Sequence, residues 1–322
     1  MIHRRHFTLA AAAGILPLWA QASTYPSQPV RAVVSNAAGT GTDITARFMA
    51  GQLAKRWGVP VFVENKAGAG GALGTDYVAK APPDGTNILF STGAHFGLPV
   101  LYDKLSFDAK ADFTPVASFA QAPIVLFVPA DSPFKTVKDV VDAAKKAPDS
   151  LSYASPGAGT SSHLAAVMMA HQAGILMQHV PYKSASQAAL EVASGQAQLG
   201  FNGTGATLPL LQAGKIRMLA ISSLKRSPSL PQVPTLDESG LKGYEFVTSI
   251  LALVRAGTPA AIVDTIGAAL TAAAGQPEFR ELCKAQGLDV VIQGPAELKV
   301  SAPKEFDKWK QLVELAGLKP GG

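Results

Sequence analysis

The sequence predicts an α/β fold of two lobes, each a mostly parallel sheet flanked by helices, joined by a hinge of two crossing strands. Three observations predict it. Short β-branched runs alternate with helix-like segments along the chain, the pattern of an α/β protein with largely parallel sheets. Glycines and hydroxyls crowd the places where strands give way to helices, and two long apolar strands stand near positions 120 and 250.

In chain order the alternation runs 30–34 then 43–57, 61–63 then 71–80, 87–91, 124–128 then 136–147, 151–154 then 161–173, 177–180 then 185–194, 198–201 then 205–213, and 216–221. The helices carry apolar stripes such as Val137, Val140, Val141 and Ala144, and Phe306, Trp309 and Val313 near the C-terminus. Spacings of i, i+3, i+4 and i+7 put such residues on one face, so they read as core packing and not as a cofactor site. Pro295 suits the first turn of a last helix and Gly317 its end. The first crossing, 118–129, reads SFAQAPIVLFVP and follows Asp112-Phe113-Thr114-Pro115; the second, 244–256, reads YEFVTSILALVRA and precedes Gly257-Thr258-Pro259. Between them, Pro228, Pro231 and Pro234 exclude long regular structure from 223–243. A chain that leaves the first lobe near 120 and returns near 250 assigns residues 23–122 and 248–322 to lobe one and 123–247 to lobe two.

The chain opens MIHRRHFTLAAAAGILPLWAQAS. Arg4 and Arg5 precede a short apolar run, and Ala20-Gln21-Ala22 has the A-x-A form of a cleavage site, so residues 1–22 read as an export signal. The order Arg4-Arg5-His6-Phe7 resembles a twin-arginine signal. The run from Phe7 to Trp19 is shorter than the roughly 20 residues a bilayer span needs, and the mature chain is expected to be a soluble monomer in the periplasm. The leader holds two arginines and no acid, so its removal takes the formal charge from +5 to +3. Lys and Arg occur singly or in pairs, never as a basic stripe with interleaved aromatics, which excludes a nucleic-acid footprint. Cys283 is the only cysteine, so no internal disulfide forms despite an oxidising compartment.

Three strand-to-helix loops share one composition: 36–43 (NAAGTGTD), 67–71 (AGAGG) and 155–162 (SPGAGTSS). Free backbone N–H groups and the positive end of a helix dipole face outward there, an arrangement suited to an anion, and ligands of open α/β sheets bind at that edge. Glycine at a turn and Thr or Asp at an N-cap are also routine without any ligand. Nucleotide binding fails on spacing. From Gly68, the third glycine of G-x-G-x-x-G falls at Leu73, and no Lys follows a glycine pair in P-loop register. Thr160-Ser161-Ser162-His163 sets hydroxyls beside an imidazole, but helical neighbours do not face each other, and no G-x-S-x-G elbow occurs. His95, His171 and His179 are scattered singly, without zinc-ligand spacing. No cofactor, metal or catalytic residue is expected.

The runs VRAVVSNAAGTGTDITARFMA, VFVENKAGAGGALGTDYVAKAPPDGTNILF, LYDKLSFDAKADFTPVA, SYASPGAGTSSHLAA, VPYKSASQAALEVASGQ and LQAGKIRMLAISSLKRSPSLPQVPTLDESG resemble, in wording and order, the Bug-type (TctC-like) receptors of tripartite tricarboxylate transporters. The likeness covers residues 25–318. It implies a type II periplasmic binding protein, closing like a flytrap on a small organic carboxylate and handing it to a membrane permease. It also implies contacts by position: Gly39, Thr40, Thr42 and Asp43 with Ala69, Gly70 and Gly71 in the first lobe, and Ser155, Thr160, Ser161, Tyr182, Lys183 and Asn202 in the second. The chain departs from the family pattern at Ser35-Asn36 (usually Pro-Phe), Gly39-Thr40-Gly41 (usually Gly-Gly-Pro), near Leu98 (usually an Asn), and at Ser184 (Gly) and Asn202 (Asp). Those changes alter size, charge and hydrogen bonding in or beside the expected cleft, so the solutes of relatives do not transfer directly.

A carboxylate buried between lobes exchanges its water for donors, because an unpaired buried charge is costly. Helix-end charge effects reach about 2 kcal/mol when partly buried and charge-assisted hydrogen bonds contribute about 1.5–3 kcal/mol each. Two such loops therefore support micromolar binding, about 8 kcal/mol. Two rivals use the same residues: a ligand-presenting sensory receptor, and a secreted hydrolase working from the Ser161/His163 region.

Overall fold

In the computed structural model, residues 25–319 and 321 are described; the leader and its cleavage pattern lie outside them. The elements follow the order β1 (Val30–Val34), α1 (Gly41–Trp57), β2 (Val61–Asn65), α2 (Ala72–Ala79), β3 (Asn87–Thr92), α3 (Leu98–Leu101), β4 (Phe113–Pro129), α4 (Val137–Lys146), β5 (Ser152–Ser155), α5 (Ser161–Ala173), β6 (Gln178–Pro181), α6 (Ala185–Ala193), β7 (Leu199–Gly203), α7 (Thr204–Gln212), β8 (Ile216–Ile221), β9 (Val247–Arg255), α8 (Ala260–Ala274), α9 (Pro277–Ala285) and α10 (Pro295–Leu315). Local chemistry sets many of the boundaries. Thr136 and Asp139 form a capping box that starts α4, and Gly58 in the left-handed region ends α1, where a side chain would be strained.

In the first lobe the strand order is β2-β1-β3-β9-β4. Strand β1 runs parallel to both β2 and β3, whereas β9 is antiparallel to β3 and β4. In the second lobe β5 runs parallel to β6 and β7, and β4 is antiparallel to β7 and β8. The parallel strands are the alternating α/β part of each lobe. The antiparallel pairs have a separate cause: β4 carries the chain out and β9 carries it back, so the two crossings run in opposite directions.

Strand β4 serves both sheets. Residues from Phe113 to Pro123 pair with β9, and those from Ile124 to Pro129 pair with β7 and β8. It begins five residues before the expected 118. The structure keeps Pro115 in the strand and shifts register between Pro115 and Ala117. Proline offers no N–H to a ladder, so a bulge is where a strand tolerates it.

Separate apolar clusters hold the lobes. One packs Met49, Phe90, Phe119, Ile266 and Phe279 beneath α1, α8 and α9. Another, around Phe127, Val192 and Ile221, backs α6 and the outer strands of the second lobe. The largest joins both, with Tyr153 and Leu164 from the second lobe meeting Trp309 and Val313 of α10. Tyr244 is fully buried there and donates its hydroxyl hydrogen to Ala165 O at 2.6 Å. The last helix thus braces the crossing. Among the described residues no helix is long and apolar enough to cross a membrane.

Candidate functional site

The loops after β1 and β5 are folded by the same contacts. In the first, Thr40 is the N-cap of α1; its hydroxyl donates to Ala37 O at 2.8 Å and accepts from the Asp43 amide at 3.4 Å. The Asp43 carboxylate reaches back to accept the Gly39 amide hydrogen at 2.9 Å. In the second, Thr160 caps α5, donates to Gly157 O at 2.7 Å and accepts from the His163 amide at 3.3 Å. There it is His163 Nδ1 that accepts from the Gly159 amide, at 3.1 Å. Each loop leaves two first-turn amides, Gly41 and Thr42 in one and Ser161 and Ser162 in the other, without an intrahelical partner.

Asp43 is almost fully buried and also accepts from Arg47 Nε at 3.0 Å and Asn65 Nδ2 at 2.8 Å. Burial opposes its charge, but hydrogen bonds from Arg47, Gly39 and Asn65 and the Arg47 charge outweigh that and hold its carboxyl below the ordinary range. The imidazole of His163 lies against that of His179, with ring centroids 3.9 Å apart and planes 10° from parallel, and Tyr153 stacks on the pair. Burial first, then the neighbouring imidazole, push His163 down to about 4. Burial lowers His179 as well.

The loop after β2 turns through left-handed backbone at Gly68, Ala69, Gly70 and Gly71. A Cβ on Gly70 would come within 2.9 Å of the Tyr102 hydroxyl, and one on Gly74 within 2.9 Å of the Ser35 backbone. These glycines let the loop lie flat against the end of β1 and the Tyr102 ring.

The three loops meet at a cleft of about 570 Å³ between the lobes. Of the residues expected at the site, Gly70, Gly71, Thr160 and Ser161 line it. The others serve neighbouring contacts. Ser155 is fully buried, with Oγ 2.6 Å from His179 Nε2. Asn202 donates to Ala185 O at 2.7 Å and accepts from the Gly203 amide at 2.9 Å. The Tyr182 amide is given to Ser155 O, and the Lys183 amide to Gln187 Oε1. Ala69 stands in the turn, and Gly39, Thr40, Thr42 and Asp43 in the α1 cap described above. Asn36 and Leu98, two positions of departure from the family pattern, are on the cleft wall. Ser184, a third, caps α6 by accepting from the Gln187 amide.

Leu101, Tyr102, Leu318 and Lys319 also line the cleft and were not anticipated. They come from the four-residue α3 and from the chain after α10, neither of which carries a recognisable local motif. A second cavity, of about 640 Å³, is enclosed by Phe113, α8 and α10. Its walls belong to the first lobe alone, so lobe closure would not enclose a ligand there.

For the hydrolase reading, the geometry is unfavourable. No hydrogen bond joins Ser161 to His163 among the described residues, and the ring nitrogen that would act as base holds Gly159. The Ser155–His179 contact is close, but Ser155 is 0% exposed and cannot meet a substrate.

Two sheets sharing a crossing strand, with loop glycines, hydroxyls and helix starts converging on the gap between them, define a two-lobed solute-binding protein of type II. The chain belongs to the family described as tripartite tricarboxylate transporter family receptor, TctC, whose model matches residues 45–318. That family is one of solute receptors, not of enzymes. Solved structures agree. The Rhodopseudomonas palustris protein Rpa4515, solved with adipate, is 30% identical, with a TM-score of 0.79 over 92% of this chain and 100% of its own. The periplasmic binding protein BugD is 34% identical, with a TM-score of 0.76 over the same shares. MatC of R. palustris, with bound malate, is 29% identical, with a TM-score of 0.74 over 90% of this chain and 100% of its own.

Proposed function

We propose that this protein is an extracytoplasmic receptor that closes on a small carboxylated organic solute and delivers it to the membrane permease of a tripartite transporter. The observation that carries the reading is the cleft itself: Gly70 and Gly71 from one lobe face Thr160 and Ser161 from the other across about 570 Å³, within the range of small-molecule sites. Two relatives of this fold hold carboxylates, adipate in one and malate in the other, which supports an acid here. Ligand contacting both lobes binds the closed arrangement better than the open one, the differential affinity that a population shift requires.

We assign residues 23–122 and 248–322 to one lobe and 123–247 to the other, supported by the exchange of β4 partners between Pro123 and Ile124. Carboxylate binding uses the Ser161 and Ser162 amides with the wall residues Gly70, Gly71 and Thr160. Gly39, Thr40, Thr42, Asp43, Ala69, Ser155, Tyr182, Lys183 and Asn202 act through the loops they hold. Periplasmic residence and hand-off to a permease are part of this reading, supported by the family and the leader, and no catalytic step is assigned.

A melting-shift panel of organic acids tests the reading. A bound acid at about a hundred times its dissociation constant adds about 2.7 kcal/mol, a rise of about 3–6 °C. Recovery of the same acid unchanged after incubation is expected. Turnover of the acid, or a panel in which no carboxylate moves the transition, overturns the proposal.

A further inference from the structure

The chain does not end when α10 does. Gly317, at φ 61°, turns it out of the helix, and the Leu318 amide donates back to Val313 O at 3.2 Å. Three residues further on, the Gly321 amide donates to Leu101 O at 3.2 Å. The tail is thus tied back to the fold at Leu318 and at Gly321. Its side chains reach both lobes: Leu318 and Leu101 of the first lobe press on Gly159 of the second, where an added Cβ would stand 2.8 Å from Leu101 Cδ2 and 3.8 Å from Leu318 Cδ1. Leu318, Lys319 and Gly321 all line the cleft.

Lys319 is the sole charged side chain among the described residues that line that cleft. No carboxylate lies within ion-pair distance of it among the described residues. The start of α5 offers neutral donors to the same cleft, and Leu98, Leu101 and Leu318 supply apolar wall beside them. A solute with one carboxylate at the α5 amides can therefore present a second acid group to the Lys319 ammonium. A second carboxylate there exchanges its water for a cation; without Lys319 it would lose hydration for nothing.

We propose that Leu318 and Lys319 belong to the binding site and that Lys319 recognises a second carboxylate, making this receptor selective for an aliphatic dicarboxylate over the monocarboxylate of equal length. The assignment rests on the proposed use of the cleft and adds a specificity-determining residue to it. Lys319 is exposed, so its ion pair is partly screened, and its removal should weaken a diacid by about three- to thirtyfold, more at low salt than at high.

Isothermal titration with succinate, malate, adipate and suberate, each beside the monocarboxylate of the same chain length, tests this on the wild type and on Lys319→Gln, Lys319→Glu and Lys319→Arg. Unliganded melting points serve as the folding control, and an exposed tail residue should leave them unchanged. The expected result is a wild-type preference for one diacid over its monoacid, lost in Lys319→Gln, weaker still in Lys319→Glu, and kept in Lys319→Arg, with monoacid affinity unmoved in all of them. Equal diacid affinity in wild type and Lys319→Gln overturns the role of Lys319. Binding of monoacids but of no diacid overturns it too while leaving the receptor reading intact; silence from every acid is the separate failure of that reading.

Discussion

In the first lobe Gly39 gives its amide hydrogen to a carboxylate, Asp43; in the second Gly159 gives its own to an imidazole, His163 Nδ1. The threonine caps match, with Thr40 and Thr160 each donating to the carbonyl three residues back and accepting from the amide three residues ahead. The closing residue changes the electrostatics. A carboxylate in the first turn partly cancels the positive end of α1, and Arg47 and Asn65 then hold that carboxylate. A neutral imidazole leaves the start of α5 uncompensated. One plan therefore yields a self-contained cap in the first lobe and, in the second, a helix start still able to attract an anion.

The largest expected consequence of that difference lies in stability. Asp43→Ala removes the common acceptor of Gly39, Arg47 and Asn65, stranding donors in a nearly buried place, at a cost of about 2–4 kcal/mol. His163→Ala strands only the Gly159 amide and opens a gap beside His179, at about 1–3 kcal/mol. Urea unfolding of both variants measures the contrast, and an Asp43 variant no weaker than the His163 variant would break it.

Acid separates the loops next. The unfolded His163 takes its proton near 6.5 and the folded one near 4, so the neutral, folded form is favoured fully above 6.5. As pH falls from 6.5 toward 4 the unfolded chain binds a proton that the folded chain refuses, and up to about 3 kcal/mol is lost. Asp43 acts at lower pH: its carboxyl sits below its ordinary 3.8, so its contribution persists above 3.8 and is lost as pH falls through the lowered folded value. Unfolding midpoints at pH 7, 5.5 and 4.5 should therefore fall less in His163→Gln than in the wild type. His95, buried and also pushed down to about 4, contributes its own loss to both chains, so the difference between them carries the share of the stacked His163–His179 pair.

How far each loop was readable from sequence follows the range of its contacts. Thr40-x-x-Asp43 is a local capping pattern, so the start of α1 was visible to within two residues, whereas the engagement of Asp43 by Gly39, Arg47 and Asn65 was not, and Asp43 was expected at the ligand. The loops that hold Gly70, Gly71, Thr160 and Ser161 were legible because glycine and hydroxyl composition at a helix start is a local signal, while the residues themselves came from the family resemblance; all four line the cleft. Nothing local marked Leu101, Tyr102 or Lys319; their places depend on packing between α3, the tail and the opposite lobe. Pro115 shows the converse, a residue without a ladder N–H that β4 absorbs beside a register shift set by the pairing with β9.

The finest distinction between the lobes concerns single amides. Proline is tolerated at the first position of a helix, where its missing N–H has no intrahelical partner. The preceding caps, Thr40 at φ −76° and ψ 160° and Thr160 at φ −69° and ψ 157°, already have the extended backbone that a following proline demands. Gly41→Pro and Ser161→Pro should therefore both fold with melting points near the wild type. Each deletes one donor, but only the α5 donor faces the cleft with its helix charge uncompensated. Titration with the acid that stabilises the wild type should show about tenfold weaker binding for Ser161→Pro, near 1.4 kcal/mol, and less than threefold for Gly41→Pro. Equal losses would mean that Asp43 does not shield the first helix from the ligand, and that the solute draws on both lobes alike.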